Sequence, residues 1–496
     1  MCYQIAVGKG ATADGSVMVA RSCDGHSGAM ALRVISVPRM THEPGEVVKF
    51  PSGVEIPQVP VTYGYVAIAQ FIKGQEIEEA EGGINEYQVS AGSSSGGFLN
   101  EAARKVCPRM ETSVGDYRMT MALQRAKTAR EAVQIMADLT ERYGARTDNY
   151  MIADPQEVWM WEEFQGRLWV AARVPDDCFA VEANTVRIGE VDLDDPENFM
   201  GSKNLISFAV ENGLYNPDGG EPFNAAKVYG AQTGKVRFDI PAPEYDRRRI
   251  WRGISLMAPS TELDPEEPGW VYPLFVKPDR KLTPRDLLNV MRDHYEGTEY
   301  DLYAADQDRY KYSEMHLNEN RQYQFSPSWN RERVIGISRS VTNWVAQLRG
   351  WLPNPIGGVL WGGLAASWAN AHVPWYAGIT RTPEAYNIGI NAPGGISEYD
   401  GNSAYWVYET VTSLVNLFYR NTIDEVLPVW KTWEDQLFAA QPAVEKTALE
   451  IYRENPALAV DFLTSYSNIK GVEALEMAKG MIPKLLTIIA RRNTGI

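Results

Sequence analysis

Cysteine and histidine are scarce in this chain of 496 residues, with four of the first and five of the second. Cys2, Cys23, Cys107 and Cys178 form no CxxC pair, which argues against a disulfide framework or a local zinc site and fits a reducing compartment. His26, His42, His294, His316 and His372 show neither HxxxH nor HExxH spacing, so neither metal nor cofactor is expected. The acidic runs Glu76 to Glu81 and Asp192 to Glu197 lack EF-hand order and read as solvated surface. Basic residues are also short: 48 Lys and Arg against 64 Asp and Glu leave a net charge of -16, which disfavours nucleic acid and anionic membranes as partners. Long apolar runs are missing. The longest uncharged stretch, Gly350 to Thr380, is broken by Pro353, Pro355 and Pro374, so no spanning helix is expected. Lys9, Asp14 and Arg21 interrupt the apolar residues at the start, so no secretion signal is read there and a cytoplasmic protein is expected. Gly8-x-Gly10 lacks the third glycine and the helix of a dinucleotide site, and no internal repeat or low-complexity segment is present.

What is present is an ordinary globular composition, 44% hydrophobic with 14 Trp, 25 Tyr and 14 Phe, opening on a β-hairpin. Tyr3 to Val7 and Ser16 to Ala20 read as strands joined by a connection ending in Asp14-Gly15. Numbers of facing residues in an antiparallel pair add to a constant set by the turn. A turn centred between about 12.5 and 14.5 places Cys2 opposite a residue between about 23 and 27, and brings Arg21 and Asp24 back beside it. Removal of Met1 would put a free α-amino group, with an ordinary pKa of about 7.7 to 8.0, next to the Cys2 thiol, where it can serve as general base. An ordinary thiol is only about 3% thiolate at pH 7, and Arg21 would supply the positive field that raises this fraction. Asp24 is expected to orient the amine. Cys23 would lie beside Cys2, either packed or able to form a disulfide with it on oxidation.

Farther along, Gly64 to Ile72 and Gln88 to Ala91 read as strands, the latter followed by a small-residue loop from Gly92 to Gly97. Asp116 to Ala126 and Ala129 to Tyr143 have helical spacing, and Asn149 to Ala153, Glu157 to Phe164 and Arg167 to Arg173 read as strands. Residues 190 to 275 suggest connecting structure with one short helix, Leu205 to Asn212. Thr283-Pro284 starts another helix, residues 334 to 390 are strand-rich, and the tail after about 403 is helical, in segments 405 to 419, 423 to 439, 443 to 454, 456 to 469 and 472 to 491. Trp361, Trp375 and Tyr376 read as core, with an apolar substrate pocket as the alternative.

The order of several blocks resembles the dipeptidase family of N-terminal-nucleophile hydrolases, peptidase family C69, which includes dipeptidase A and the secernins. Choloylglycine hydrolase and penicillin V acylase are more distant relatives. The blocks are the opening Met-Cys, Asp14-Gly15-Ser16, Val19-Ala20-Arg21, Asp24-Gly25, Gly83 to Tyr87, Asn149 to Asp154, Trp159 to Glu162, Ser202 to Leu205, Arg249 to Arg252, Arg292 to Thr298 and Tyr300-Asp301. The resemblance implies an α+β fold, an αββα sandwich of two antiparallel sheets between helices. It covers about residues 1 to 400, with an insertion at about 190 to 275 and a helical extension over 401 to 496. That extension would cover the site or build the interface of a homo-oligomer. The resemblance further implies Cys2 as nucleophile in the hydrolysis of dipeptides, with Arg21 and Asp24 as supporting residues. Asp154 lies where the amidase relatives carry an asparagine near the nucleophile amine, and Arg249 matches an active-site arginine through the Arg-x-x-Arg pattern. Ser95 aligns with an oxyanion-hole asparagine and is the implied substrate-binding residue, with backbone amides of residues 92 to 97 as other donors. Gln88 stands where a glycine is common. Hydrolysis of another amide, such as an N-acyl amino acid, and a non-catalytic secernin-like binding or regulatory role are the alternative readings.

Overall fold

The computed structural model describes residues 2–25, 30–70, 78–96, 99–108, 114–231, 242–267, 269, 271–301, 333–390 and 397–493. His26, His316, Gly97 and the start of the Glu76 to Glu81 run lie outside them.

Strand β1 (Cys2–Val7) is buried throughout, and so is its partner β2 (Val17–Cys23). Their register pairs Cys2 with Cys23 and Val7 with Met18, so facing numbers add to 25, at the low end of the expected range. The turn holds because Asp14 Oδ1 accepts from Ser16 N (3.0 Å) and Ser16 Oγ (2.6 Å), while Gly15 takes φ +85°. The second strand runs three residues beyond the expected Ala20, and that extension carries Arg21 and Cys23.

The other strands of the two large sheets are β3 (Arg33–Val37), β4 (Tyr65–Gln70), β5 (Glu79–Asn85), β6 (Ser90–Ser95), β7 (Asp148–Ala153), β8 (Val158–Glu163), β9 (Trp169–Arg173), β10 (Phe179–Glu182), β11 (Phe199–Gly201), β12 (Thr342–Leu348), β13 (Val359–Leu364) and β14 (Val373–Tyr376). One six-stranded sheet has the order β10-β1-β2-β12-β13-β14, and an eight-stranded sheet has the order β11-β9-β8-β7-β6-β5-β4-β3. Their pairings are antiparallel. Alternation sends Cys2, Gln4 and Ala6 toward the eight-stranded sheet, as the reach of Gln4 Nε2 to Asn149 O shows, and sends Tyr3, Ile5 and Val7 the other way. Apolar side chains of both sheets fill the space between them, among them Val19, Ile68, Met151 and Met160.

Helices cover the outer faces. Ala91, Tyr150 and Trp161 of the eight-stranded sheet meet Met119 and Leu123 of α1 (Tyr117–Arg125) and Met136 of α2 (Ala129–Tyr143). On the far side of the six-stranded sheet lie α3 (Ala242–Met257), α4 (Pro284–Met291), α5 (Ala404–Leu417), α6 (Leu427–Glu454) and α7 (Pro456–Asn493). The result is an αββα arrangement with a helical C-terminus. Buried ion pairs tie α6 to the core: Arg292 donates to both oxygens of Glu434 at 2.9 and 2.6 Å, and Arg349 pairs with Glu445 at 2.6 Å. Removing one partner of such a pair costs about 3–5 kcal/mol, so these contacts fix the helical layer in place.

Three expectations change. The stretch from 190 to 275 holds not one short helix but also α3, whose Ile250, Ile254 and Met257 are buried at helical spacing. Residues 92–95 continue a strand rather than forming a loop. They are small because a Cβ on Gly92 would lie 2.7 Å from the ring of Trp344 and 3.1 Å from Arg21 Cδ. In the tail, α6 runs unbroken through Pro442, and α7 joins the two segments expected at 456 to 469 and 472 to 491. Among the described residues, no helix is long and apolar enough to cross a membrane.

Candidate active site

The two sheets meet in an interior where two rows of side chains cross the six-stranded sheet. In the outer row Cys23 is flanked by Cys2 and Thr342; in the inner one the order is Glu182, Gln4, Arg21, Trp344. The β1–β10 register adds to 186, which carries the outer row on to Asn184, two residues past Glu182 and level with Cys2. Cys2, Gln4, Arg21 and Cys23 therefore share one face because the period of a strand is two.

Arg21 Nη2 donates to Cys2 Sγ at 3.6 Å, to Glu81 Oε2 at 2.8 Å and to Ser93 Oγ at 3.3 Å. Its Nε and Nη1 hold the carbonyls of Ser93 and Glu81. Glu81 is aimed at Arg21 by a bulge: Ile68 faces Gly82 and Ala69 faces Ala80, leaving Glu81 as the extra residue. Gly82 takes φ +152°, and a Cβ there would lie 2.2 Å from Trp344. The cationic neighbour of Cys2 is thus itself held by a carboxylate on the opposing sheet.

The Cys2 nitrogen donates to Asn184 Oδ1 at 3.2 Å. Arg249 Nη2 and Arg333 Nη1 donate to the same oxygen, at 3.1 and 3.4 Å, and Asn184 Nδ2 donates to Ser95 O at 2.6 Å. Asn184 is a non-glycine residue at φ 63°, a conformation that persists only where the surroundings hold it. Arg249 also donates from Nη1 to Cys2 O at 2.9 Å and pairs with Asp246 at 2.6 Å. It arrives there because Tyr3, on the outer face of β1, packs on α3. Tyr3 OH donates to Arg249 O at 3.2 Å, and a Cβ at Gly253 would lie 1.8 Å from that hydroxyl. Burial pushes Asp246 up to about 7, against the pull of Arg249.

The Cys2 thiol is held well below its ordinary range. The adjoining Cys23 thiol contributes most, and nearby positive charge that includes Arg21 adds to it, outweighing burial. Cys23 is pushed the other way, by its bond to Cys2, by burial and by the charge of Glu81. The arrangement can hold a thiolate beside a nitrogen whose direction is set by an amide oxygen.

Of the residues expected at the site, Cys2, Arg21, Asp24 and Arg249 are brought together. Asp24 follows Cys23, and its carboxylate is held by Arg333 and by Ser340 Oγ at 2.5 Å. Ser95 contributes its carbonyl to Asn184, while its side chain is exposed; the serine hydroxyl on Arg21 belongs to Ser93. Asp154 is not part of the group. It lies five residues beyond Asn149 along β7, about 16 Å at the usual strand rise. There Oδ2 accepts from Ala129 N at 2.7 Å, at the start of α2, and Oδ1 accepts from Gln156 and Glu157 N at 2.6 and 3.0 Å. The position beside the Cys2 nitrogen belongs to Asn184. Trp361, Trp375 and Tyr376 are core residues, with Trp361 packed on Phe438 of α6.

Asn184 and Arg333 were not expected. The strand β10 would have revealed the first through its register with β1; Arg333 carries no comparable sequence signal. Gln88 has φ 65°, the conformation that a glycine adopts freely. Its side chain offsets the strain by donating to Arg349 O and Asn354 Oδ1 and accepting from Arg349 N at 2.8 Å.

Residues 1–432 match the peptidase family C69. The chain belongs to peptidase family C69. Among curated proteins it is 28% identical to the "Probable dipeptidase" of Latilactobacillus sakei, over 98% of this chain and 95% of that one. It is 29% identical to the "Probable dipeptidase B" of Lactococcus lactis subsp. lactis, over 92% and 94%. The "Probable dipeptidase B" of Streptococcus pyogenes serotype M1 is 26% identical over 100% and 94%. Among solved structures, a mutant conjugated bile acid hydrolase from Clostridium perfringens covers 75% of this C69 chain at 10% identity, with a TM-score of 0.34 and 90% of its own length covered. The C69 membership rests on the family match.

Proposed function

We propose that this C69 peptidase is a dipeptidase whose nucleophile is Cys2, exposed as the amino terminus by loss of Met1. The observation that carries this reading is the pair of contacts on one residue: Cys2 N on Asn184 Oδ1 at 3.2 Å and Arg21 Nη2 on Cys2 Sγ at 3.6 Å. They orient a base and stabilise a thiolate within the same residue.

The Cys2 thiol gives its proton to its own α-amino group, and the thiolate adds to the carbonyl of the dipeptide. The tetrahedral intermediate collapses as the Cys2 ammonium returns the proton to the leaving nitrogen, which departs as the free amine of the second amino acid. A thioester between Cys2 and the first amino acid remains. The neutral amine then takes a proton from water, hydroxide adds to the thioester, and collapse releases the first amino acid and restores the thiol. The general base needs no histidine, because an ordinary α-amino group has a pKa of about 7.7 to 8.0. Arg249 and Arg333, through Asn184 Oδ1, keep the amine pointed at the reacting atoms, in reach of the sulfur on the same residue.

The test is a panel of dipeptides and N-acyl amino acids, assayed with the Met1-free protein and with Cys2→Ala. Dipeptide hydrolysis lost in Cys2→Ala supports the reading. Preference for the N-acyl compounds would move the substrate class, and no hydrolysis of either by Met1-free protein would favour a non-catalytic role.

A further inference from the structure

We propose that Cys23 is a positioning residue for the nucleophile: its S–H donates to Cys2 Sγ, so that the two facing sulfurs share one proton and the charge rests on Cys2. This rests on the reading of Cys2 as nucleophile, but its tests need no substrate.

The placement follows from register. Cys2 and Cys23 are directly opposed across the β1–β2 pair, and directly opposed residues project to the same face. Their Cα atoms then stand about 4.5–5.5 Å apart. Both side chains are buried, at 3% and 5% exposure, so the sulfurs face each other away from bulk water.

The surroundings are unequal. Cys2 receives Arg21 Nη2 at 3.6 Å and lies beside the chain's amino end, with Arg249 on its carbonyl oxygen at 2.9 Å. Asp24, adjacent to Cys23, is neutralised by Arg333 and bonded by Ser340. Glu81, bound to Arg21, adds a negative charge that opposes ionisation of Cys23. On the other flank of Cys23, Thr342 turns its hydroxyl to Gly363 O at 2.7 Å. Cys2 is therefore the sulfur that ionises and Cys23 the one that keeps the proton. Cys107 and Cys178, away from this pair, are pushed up to about 11 with burial as the leading cause, and serve as internal controls.

The direct test is the pH dependence of iodoacetamide alkylation at Cys2, followed by peptide mass in the wild type, Cys23→Ala and Cys23→Ser. The midpoint for Cys2 should rise by about one pH unit or more in Cys23→Ala, and Cys23→Ser, which keeps a donor, should recover part of that shift. A midpoint in Cys23→Ala equal to the wild type would overturn the proposal. Should the variants not fold, the wild type still decides by reaction with diamide. There the Cys2 thiolate adds to the N=N bond as a proton adds to the other nitrogen, and the Cys23 sulfur then attacks the Cys2 sulfur, breaking its new S–N bond as the leaving nitrogen takes up the Cys23 proton. The products are a Cys2–Cys23 disulfide and the hydrazine. The expected Cα spacing lies inside the disulfide range of about 4.4–6.8 Å. A cross-linked pair of peptides containing Cys2 and Cys23 supports the facing sulfurs; a free Cys23 beside a diamide-modified Cys2 contradicts them.

Discussion

Asn184 shows how much of the site depends on one backbone conformation. Its oxygen collects the Cys2 nitrogen and two guanidinium groups only because the residue turns at φ 63° just after β10. Asn184→Gly should keep the turn and lose the oxygen, whereas Asn184→Ala should lose both. We expect both to lower kcat for peptide hydrolysis by at least about tenfold, with Ala less stable than Gly by about 1 kcal/mol in denaturant titrations. Equal activity to wild type in either would remove Asn184 from the machinery. Cys2, Arg21 and Asp24 were legible because a hairpin fixes its own register. Asn184 was not, because its register is set by β10, some 180 residues downstream, where no tight turn links the strands.

At the scale of elements, residues 92–95 and the carboxylate of Asp154 both take structural places that their sequence surroundings do not signal. Gly92-Ser93-Ser94-Ser95 resembles a loop by composition, yet it is a central strand made narrow to admit Arg21 and Trp344. Asp154 sits in a block that matches the family, but its carboxylate caps α2 and closes the β7–β8 turn. Asp154→Ala should therefore cost about 1–2 kcal/mol of stability, the ordinary loss of a helix cap, with catalysis at saturating dipeptide changed less than twofold. A loss of activity without a loss of stability would return Asp154 to the site. The helix α3, which delivers Arg249, is masked in the sequence because its start is rich in Pro and charge while its apolar residues lie in its second half.

For the whole molecule, buried carboxylates set the dependence of stability on pH. Burial raises Glu162 to about 8, against the bonds from Arg187 and Ile188 N, and Asp246 to about 7. Between their unfolded values near 4 and these folded values, the native state holds more protons than the unfolded state, so stability falls as pH rises. Glu434 has the opposite sign. Burial works against its charge, but Arg292 and His372 hold it down to about 2, so its contribution is present above about pH 4.5 and is lost toward pH 2. The melting temperature should therefore peak near pH 5 and decline toward pH 8, and Glu162→Gln, which mimics the protonated acid, should flatten that decline. A wild-type melting temperature that rises from pH 5 to pH 8 would contradict this balance. The layers of the fold were readable from periodicity, whereas the ion pairs that lock α6 to the sheets join residues far apart in the chain, such as Arg292 and Glu434.

In the proposed mechanism the nucleophile and its base lie on a single residue, Cys2, and one comparison tests both. Dipeptide hydrolysis should be compared between protein whose amino terminus is shown by intact mass to be Cys2 and protein that retains Met1, at matched folding by circular dichroism. The account predicts hydrolysis by the first and at most residual activity from the second. Equal rates from the two forms would show that the free Cys2 amine is not the base.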